Sequence, residues 1–155
     1  MSKNLTEITG FKELSQQLKR LGNDRLKRNE ILKVLRQVSK ATVNAARSEA
    51  PVSKKPHLIS GRRTRMIINP GNLRKSIGNI TGKSKSIPTI YVGPRVKGKN
   101  MGFYAAFVHG GTKNGIKPNQ FMTRAYSKTR GQVTADAEKG VAKYLQKQIN
   151  KLSNA

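Results

Sequence analysis

Mainly apolar residues recur at four-residue intervals along the last part of the chain, and this spacing constrains the fold more than any other feature. The stripe consists of Ala125, Thr129, Val133, Ala137, Val141, Leu145 and Ile149. Because side chains four apart lie on one face of an α-helix, the spacing predicts one long helix over residues 119–152. Gly131 and Gly140 fall inside it. We expect a kink or fraying there, because glycine costs about 1 kcal/mol relative to alanine in a helix interior.

A second helical pattern occupies residues 25–49. Its apolar positions continue until Pro51, whose ring cannot extend a helix. A shorter amphipathic helix is predicted over residues 10–21, with Thr9 as its cap and Gly22 as its end. The apolar positions of this short helix are Phe11, Leu14, Leu18 and Leu21. The long helix also carries four cations on its other side, which we interpret as a solvated face: Lys33, Arg36, Lys40 and Arg47.

The clearest strand signals fall within residues 72–118. The β-branched and aromatic segment Ile87–Gly93 predicts a strand, and Ile77–Thr81 is its expected antiparallel partner. Phe103–Val108 is either a strand or a short helix, because a short apolar run does not distinguish the two. Residues 51–71 combine prolines, glycines and basic pairs, so we expect an extended basic arm or loop there.

Together these elements predict a single α+β domain over residues 1–155. A small antiparallel sheet is expected to pack against the long helix of the N-terminal half and the long C-terminal helix. The short N-terminal helix completes the expected fold, and a short helical turn is expected at residues 71–77.

Positive charge dominates the middle of the chain. The sequence has 32 Lys and Arg against 7 Asp and Glu, a formal net charge of +25. Residues 50–135 contain seventeen of these cations and no carboxylate side chain. Such a field attracts polyanions and raises their rate of encounter. It indicates DNA, RNA, an anionic membrane face or an acidic protein surface as the partner, and composition does not choose among them.

Groups able to carry catalysis or bind a metal are scarce. The chain has no Cys, which removes disulfides, thiolate ligands and cysteine nucleophiles. His57 and His109 lie in different predicted elements without metal-ligand spacing, and the seven carboxylates are spread over the two helical ends. No apolar run is long enough to span a bilayer, and the N-terminus lacks the apolar core of a secretory signal. We therefore expect a soluble, intracellularly made protein that is not an enzyme and uses no cofactor, metal or membrane.

Ten cations within the acid-free segment are candidate contacts for DNA or for an acidic partner. They all fall outside the predicted helices and are Lys54, Lys55, Arg62, Arg63, Arg65, Lys83, Lys85, Arg95, Lys97 and Lys99. Cations of this kind make phosphate contacts, whereas no motif for reading base sequence is visible. The plainer alternative is a lysine-rich solvated surface, although such a surface normally includes acids over so long a segment.

Several short segments are more informative in their order than singly. They are Ile8–Leu14, Leu18–Gly22, Ala45–Val52, Pro70–Ile77, Tyr91–Pro94, Tyr104–Thr112 and Lys117–Ala125. In this order they resemble the small tail-completion proteins of tailed bacteriophages, the gene-product-ten-like minor tail family of lambdoid head-to-tail joining modules. The resemblance covers about 120 of the 155 residues. It departs from the family at His109 and Gly110, where a glutamate and an aromatic residue are usual, and at residues 53–69, which look like an insertion.

Eleven motif residues are most simply structural, as turn glycines, core side chains or satisfied hydroxyls. They are Gly71, Leu73, Ser76, Gly93, Tyr104, Ala105, Phe107, Gly111, Thr112, Phe121 and Ala125. The glycines are interpreted as turn or cap residues. Leu73, Phe107 and Phe121 are interpreted as core, and Tyr104 as a packed ring whose hydroxyl has one partner.

The resemblance implies a structural virion protein of the head-tail neck or tail top, made in the host bacterial cytoplasm. Such proteins assemble as rings, often hexameric, against portal-adaptor and tail-tube neighbours. Basic loops at 53–65 and 83–99 are then expected to line an axial DNA channel or to clamp acidic neighbours, without base-specific contacts.

Two alternatives stay open. The first is a small basic nucleic-acid-binding protein of nucleoid or ribosome-associated type. The second, weaker one is an enzyme or inhibitor with Tyr104 and His109 in one pocket.

Overall fold

The computed structural model describes residues 25–60, 65–85, 87–98, 100–113 and 115–153, in which the chain alternates helices with two strand pairs. The short helix predicted at residues 10–21 lies outside the described residues. In chain order the elements are α1 (Arg25–Val38), α2 (Lys40–Glu49), β1 (His57–Ser60), β2 (Arg65–Ile68), α3 (Asn72–Ser76), β3 (Ile77–Thr81), β4 (Ile90–Pro94), α4 (Ala105–Gly110) and α5 (Phe121–Ser153).

The helix predicted at residues 25–49 is confirmed, except that Ser39 divides it into α1 and α2. The Ser39 backbone stays helical, at φ −67° and ψ −9°, and its N–H donates to the Leu35 carbonyl at 3.0 Å. Its hydroxyl oxygen lies 3.2 Å from the Arg36 carbonyl and 3.0 Å from Oδ1 of Asn79 in β3. A serine hydroxyl that bonds back to the preceding turn bends a helix. The break between α1 and α2 therefore falls where the Ser39 hydroxyl is hydrogen-bonded to β3.

Helix α5 confirms the long C-terminal helix, and it continues through both glycines. It has 33 residues, which corresponds to roughly 50 Å at 1.5 Å per residue. It packs along α1 and α2. A Cβ built at Gly140 would lie 2.6 Å from Cγ1 of Val34, whereas one built at Gly131 meets no atom within 4 Å. Gly140 thus permits the close approach of α5 to α1, and Gly131 has no such role.

We expect Gly140→Ala to destabilise the protein and Gly131→Ala to stabilise it. The contact with a stiff Val34 side chain costs about 1–3 kcal/mol and outweighs the helix-propensity gain of alanine. Gly131→Ala retains that gain, about 0.5–1 kcal/mol. The measurement is the free energy of unfolding by urea, with the two variants compared side by side. Equal shifts in both would show that the α1–α5 contact does not require glycine.

The strands form two separate antiparallel pairs instead of one sheet. In the first, Leu58 lies opposite Ile67 and His57 opposite Ile68. In the second, Ile77 lies opposite Pro94 and Thr81 opposite Ile90, which confirms the predicted pairing of residues 77–81 with the strand that follows. The first pair lies within residues 51–71, where the sequence predicted an extended arm or loop and no strands. The α+β class is confirmed.

One buried cluster joins α2, α3, β3, α4 and α5. Its members are Val43, Ala46, Ala50, Leu73, Ile77, Ala105, Phe121 and Ala125. The segment of ambiguous type forms a helix, α4, which ends at Gly111 with φ +78°. The Gly111 N–H donates to the Phe107 carbonyl at 2.9 Å, an ending that favours glycine. The cluster fixes α4 against the start of α5.

Candidate assembly surface

The described candidate cations are exposed, but the fold does not gather them into one patch. Lys54, Lys55 and Arg65 lie at the β1–β2 hairpin. Lys83 and Lys85 lie in the β3–β4 connection, whereas Arg95 and Lys97 follow β4 at the other end of the same hairpin. Five-residue strands separate these ends by about 13–17 Å. Residues 83–99 therefore do not form the single loop that the sequence analysis expected. Arg62, Arg63 and Lys99 lie outside the described residues.

Arg95 is partly committed to the fold. Its backbone N–H and its side-chain Nε both donate to the Ser76 carbonyl, at 3.0 Å and 3.3 Å. The side chain also covers Gly78, since a Cβ built there would lie 3.3 Å from Nε of Arg95. Arg95 is thus held against the β3–β4 hairpin, while Lys97 is exposed beyond it.

Three arginines of α1 and α2 bind β3 and the β3–β4 connection, a role that no pattern in the sequence indicates. Nη2 of Arg28 donates to the Ser84 carbonyl at 2.8 Å and Nη2 of Arg36 to Oγ1 of Thr81 at 3.1 Å. Arg47 donates to the Ile77 carbonyl through Nε at 3.1 Å and Nη2 at 2.9 Å. The predicted solvated face is therefore wrong for Arg47, which is partly buried, whereas Arg36 is exposed and also makes this one contact. The solvated face is confirmed for two residues, Lys33 and Lys40, which are exposed.

Glu49, at the end of α2, holds two cations of α5. Nε of Arg124 lies 2.7 Å from its Oε2, and Nζ of Lys128 bonds to its Oε1. Arg124 also donates from Nη2 to Oδ1 of Asn119 at 2.8 Å. Hydrogen bonds from Arg124 and then from Lys128 hold the pKa of the Glu49 carboxyl below its ordinary value of 4.5. The last carboxylate before the acid-free segment is thus bound to two cations from within it.

Acid is expected to destabilise the native protein more than a Glu49→Gln variant. A carboxylate whose pKa is depressed by folding contributes stability above its unfolded pKa, and that contribution is lost as pH falls through the folded value. The unfolding midpoint in urea should therefore fall more steeply for the native protein between about pH 5 and about pH 3. The other carboxylates are the same in both proteins. Parallel pH profiles would show that the Glu49 contacts do not contribute to stability.

One face of the β1–β2 hairpin carries two exposed apolar side chains beside Arg65. Leu58 and Ile67 are cross-strand partners on this face, and they are 54% and 65% exposed. The other face carries Ile59, Met66 and Ile68, of which Ile68 is buried. We call the Leu58–Ile67 pair the hairpin face. A two-stranded hairpin is at best marginally stable alone, so an uncovered apolar face on one is a costly surface.

A second apolar surface lies beside α4. It is a groove of about 340 Å³ whose lining includes Val96, Phe103, Ala106, His109 and Met122. We call it the α4 groove. Val96 and Phe103 are exposed at its edge.

The structure confirms the predicted structural role for some motif residues and contradicts it for others. Leu73, Ala105, Phe121 and Ala125 are buried, but Phe107, which the sequence placed in the core, is 54% exposed. Gly71 and Gly111 have positive φ, as turn or cap residues require, whereas Gly93 lies within β4 opposite Gly78. The Gly93 prediction is therefore wrong.

The hydroxyl-bearing motif residues have partners. The Tyr104 hydroxyl accepts from Nδ2 of Asn72 at 3.1 Å, as predicted. The Ser76 hydroxyl is buried and donates to the Leu73 carbonyl at 2.6 Å. Oγ1 of Thr112 accepts from the Ile116 N–H at 3.1 Å.

Tyr104 does not line the α4 groove that His109 lines. His109 lines the α4 groove, with its ring 5.5 Å from that of Phe121 in an edge-to-face contact and its Nε2 3.4 Å from Oγ1 of Thr123. Tyr104 is outside this lining and its hydroxyl is directed to Asn72.

Within the described part of the chain, no three His, Asp or Glu side chains are grouped as metal ligands would be. In the same residues, none of the helices has the length and hydropathy needed to cross a bilayer. No protein-family model, curated protein or solved structure matches the chain.

Proposed function

We propose that this chain is a structural subunit that assembles with copies of itself into a ring around DNA, at the head-tail neck or tail top of a phage particle. The observation that carries the proposal is the hairpin face. Leu58 and Ile67 expose more than half of their side chains on an element that makes few contacts with the rest of the fold. An assembly contact that covers them stabilises the assembly by about 25 cal/mol for each Å² of apolar surface that it buries.

The positions of the apolar surfaces suit a ring. A ring interface joins one patch on a subunit to a different patch on the next, and closure by rotation prevents open growth. The hairpin face and the α4 groove are two such patches, on different elements. Phe107, exposed on α4, extends the apolar surface available to a neighbour.

The charge then acts against assembly unless an anion is present. Copies of a chain with a formal charge of +25 repel one another, and salt or a polyanion screens that repulsion. The exposed lysines at the β1–β2 hairpin and in the β3–β4 connection supply contacts to phosphate that carry no sequence information. DNA inside the ring would offset the repulsion and still be free to slide.

Negative-stain imaging tests this function. The purified chain is imaged in about 1 M salt, where the Debye length is about 3 Å, and separately with short duplex DNA in low salt. We expect closed rings of uniform diameter with an axial opening in both samples. Single small particles in both would exclude the ring.

A nucleic-acid-binding protein that does not assemble is the second candidate. It is favoured by Lys54, Lys55, Lys83 and Lys85, which are exposed and form no ion pair with a described carboxylate. For this function, affinity for DNA falls steeply with salt while the mass of the free protein stays that of one chain. Fluorescence anisotropy of labelled duplex DNA against salt, with the mass measured in parallel, separates the two functions.

A further inference from the structure

A groove beside α1 and α5 is left open by the subunit. It has a volume of about 550 Å³. Val34 and Val38 of α1 and Ala41 at the start of α2 line one side, and each is only partly buried. Asp136 and Gly140 line the α5 side. The described residues of the β1–β2 hairpin are absent from this lining, so the hairpin of the same subunit does not fill it. We call this surface the α1–α5 groove.

A carboxylate distinguishes the α1–α5 groove from the α4 groove. Asp136 is exposed and forms no ion pair with a described residue. The described residues that line the α4 groove include no carboxylate, and the exposed Lys97 follows Val96 at its edge. An unpaired acid beside apolar side chains favours an apolar occupant that also carries a cation.

The hairpin face has a cation beside it. Arg65 lies two residues before Ile67 in β2, so both side chains are on the side of the hairpin that also carries Leu58. Arg65 is exposed and forms no ion pair with a described residue. This chain therefore presents, on one of its own elements, the apolar pair and the cation that suit the α1–α5 groove.

We propose that the hairpin face of one copy docks in the α1–α5 groove of the next copy, with Arg65 against Asp136. The docking rests on the proposed ring and specifies the contact that closes it. Every subunit has one hairpin face and one α1–α5 groove on different elements, so a closed ring covers both on each copy. A different protein in the groove would leave the hairpin face uncovered.

The spacings of the two surfaces agree. In β2, Arg65 and Ile67 are about 6.8 Å apart at 3.4 Å per residue. In α5, Asp136 and Gly140 are about 6 Å apart at 1.5 Å per residue. With β2 parallel to α5 and Arg65 at Asp136, the hairpin face lies at Gly140, which has no side chain to exclude it. Lys143 also lines the groove, but about 10 Å along α5 from Asp136, beyond the hairpin face.

Charge exchange tests the docking, because two acids of α5 allow a matched comparison. The first double variant, Arg65→Asp with Asp136→Arg, exchanges the two charges of the proposed pair. The second, Arg65→Asp with Glu138→Arg, has the same net charge. Glu138 is also exposed on α5, but two residues turn a helix by about 200°, so Glu138 faces away from the groove.

Only the first double variant is expected to assemble like the native protein. It restores the ion pair with its charges reversed, whereas the second places a carboxylate at residue 65 opposite Asp136, and like charges oppose association. Light scattering over a concentration series gives the protein concentration at half-assembly. At about 0.15 M salt this concentration should be at least about tenfold higher for the second double variant, and the difference should shrink at about 1 M salt.

Failure of the docking and failure of the ring give different results. If the native protein assembles and the two double variants have equal half-assembly concentrations, the docking is overturned and the ring stands. If the native protein stays a single chain at every salt concentration, the ring is overturned and the docking with it. Asp136→Arg and Glu138→Arg alone, which leave the hairpin unchanged, should differ in the direction opposite to the double variants, with Asp136→Arg the weaker assembler. Thermal melts verify that each variant is folded.

Discussion

Ile67→Asp is expected to prevent ring formation while the subunit stays folded. Ile67 is 65% exposed and points away from the buried side of the β1–β2 hairpin, so the subunit loses little when it is replaced. In the ring, burial of an isoleucine side chain contributes about 1.5–3 kcal/mol per contact, and an unpaired carboxylate there adds a desolvation cost. Because a ring repeats the contact at every interface, the losses add. We expect no rings by negative-stain imaging at concentrations where the native protein is fully assembled.

The matched control is Ile87→Asp. Ile87 is 66% exposed in the β3–β4 connection, so the change in charge and the initial exposure are nearly the same. It lies on neither the hairpin face nor the α4 groove. The control should assemble like the native protein. Assembly of both variants at the same concentration would remove the hairpin face from the interface.

Gly102→Ala is expected to cost about 3 kcal/mol or more in unfolding free energy, the largest effect of any alanine substitution considered. A Cβ at this position would lie 2.3 Å from Oγ of Ser76 and 2.7 Å from Cβ of Pro94. Neither can move cheaply. Ser76 is fully buried and bonded to the Leu73 carbonyl, and Pro94 ends β4 opposite Ile77. The Gly102 N–H also donates to the Arg95 carbonyl at 2.7 Å, so the glycine cannot shift without losing that bond.

Two comparisons sharpen the Gly102 measurement. Gly110→Ala is the control, because a Cβ there meets no atom within 4 Å and its φ is not positive. It should change the urea midpoint little. Combining Ser76→Gly with Gly102→Ala removes Oγ and Cβ of Ser76, which both lie close to the added Cβ. The double variant should recover part of the stability that Gly102→Ala alone loses. A Gly102→Ala protein as stable as the native one would show that the chain at Gly102 does not lie as close to Ser76 and Pro94 as described.

The helices and one strand pair could be predicted from the sequence because periodicity reports directly on one buried face. Ala125 and the residues spaced four apart after it predict α5. The β-branched segment Ile87–Gly93 and its partner Ile77–Thr81 predict the second strand pair, in which the structure places the later strand at Ile90–Pro94. Ser39 was missed because a single serine does not interrupt the apolar pattern. Its effect depends on Asn79, which is far away in the chain.

The parts that could not be predicted depend on contacts between distant residues. β1 and β2 have four residues each, too few for alternation to stand out among prolines and arginines. Arg28, Arg36 and Arg47 resemble solvated cations at helical spacing. Only the positions of β3 and of the β3–β4 connection make them donors, Arg36 and Arg47 to β3 and Arg28 to the Ser84 carbonyl. The exposure of Phe107 could not be seen either, since an apolar run does not reveal which of its side chains a short helix leaves outside.

The candidate surface could also be predicted only in part. Composition identified the acid-free segment, but not that β4 separates Lys83 and Lys85 from Arg95 and Lys97. Nor could it distinguish Arg95, bonded to Ser76, from the exposed Lys97. The hairpin face could not be predicted, because it lies within residues 51–71, whose prolines, glycines and basic pairs indicate only an extended basic arm.

The molar mass of the native protein in solution, measured by light scattering at about 0.1 M and about 1 M salt, tests self-assembly most directly. Salt weakens the repulsion between subunits and strengthens apolar contacts, so the two contributions act in the same direction. We predict that the mass rises from low to high salt to one fixed multiple of the 17.2 kDa chain. A mass of 17.2 kDa at both salt concentrations and at every protein concentration would contradict the account.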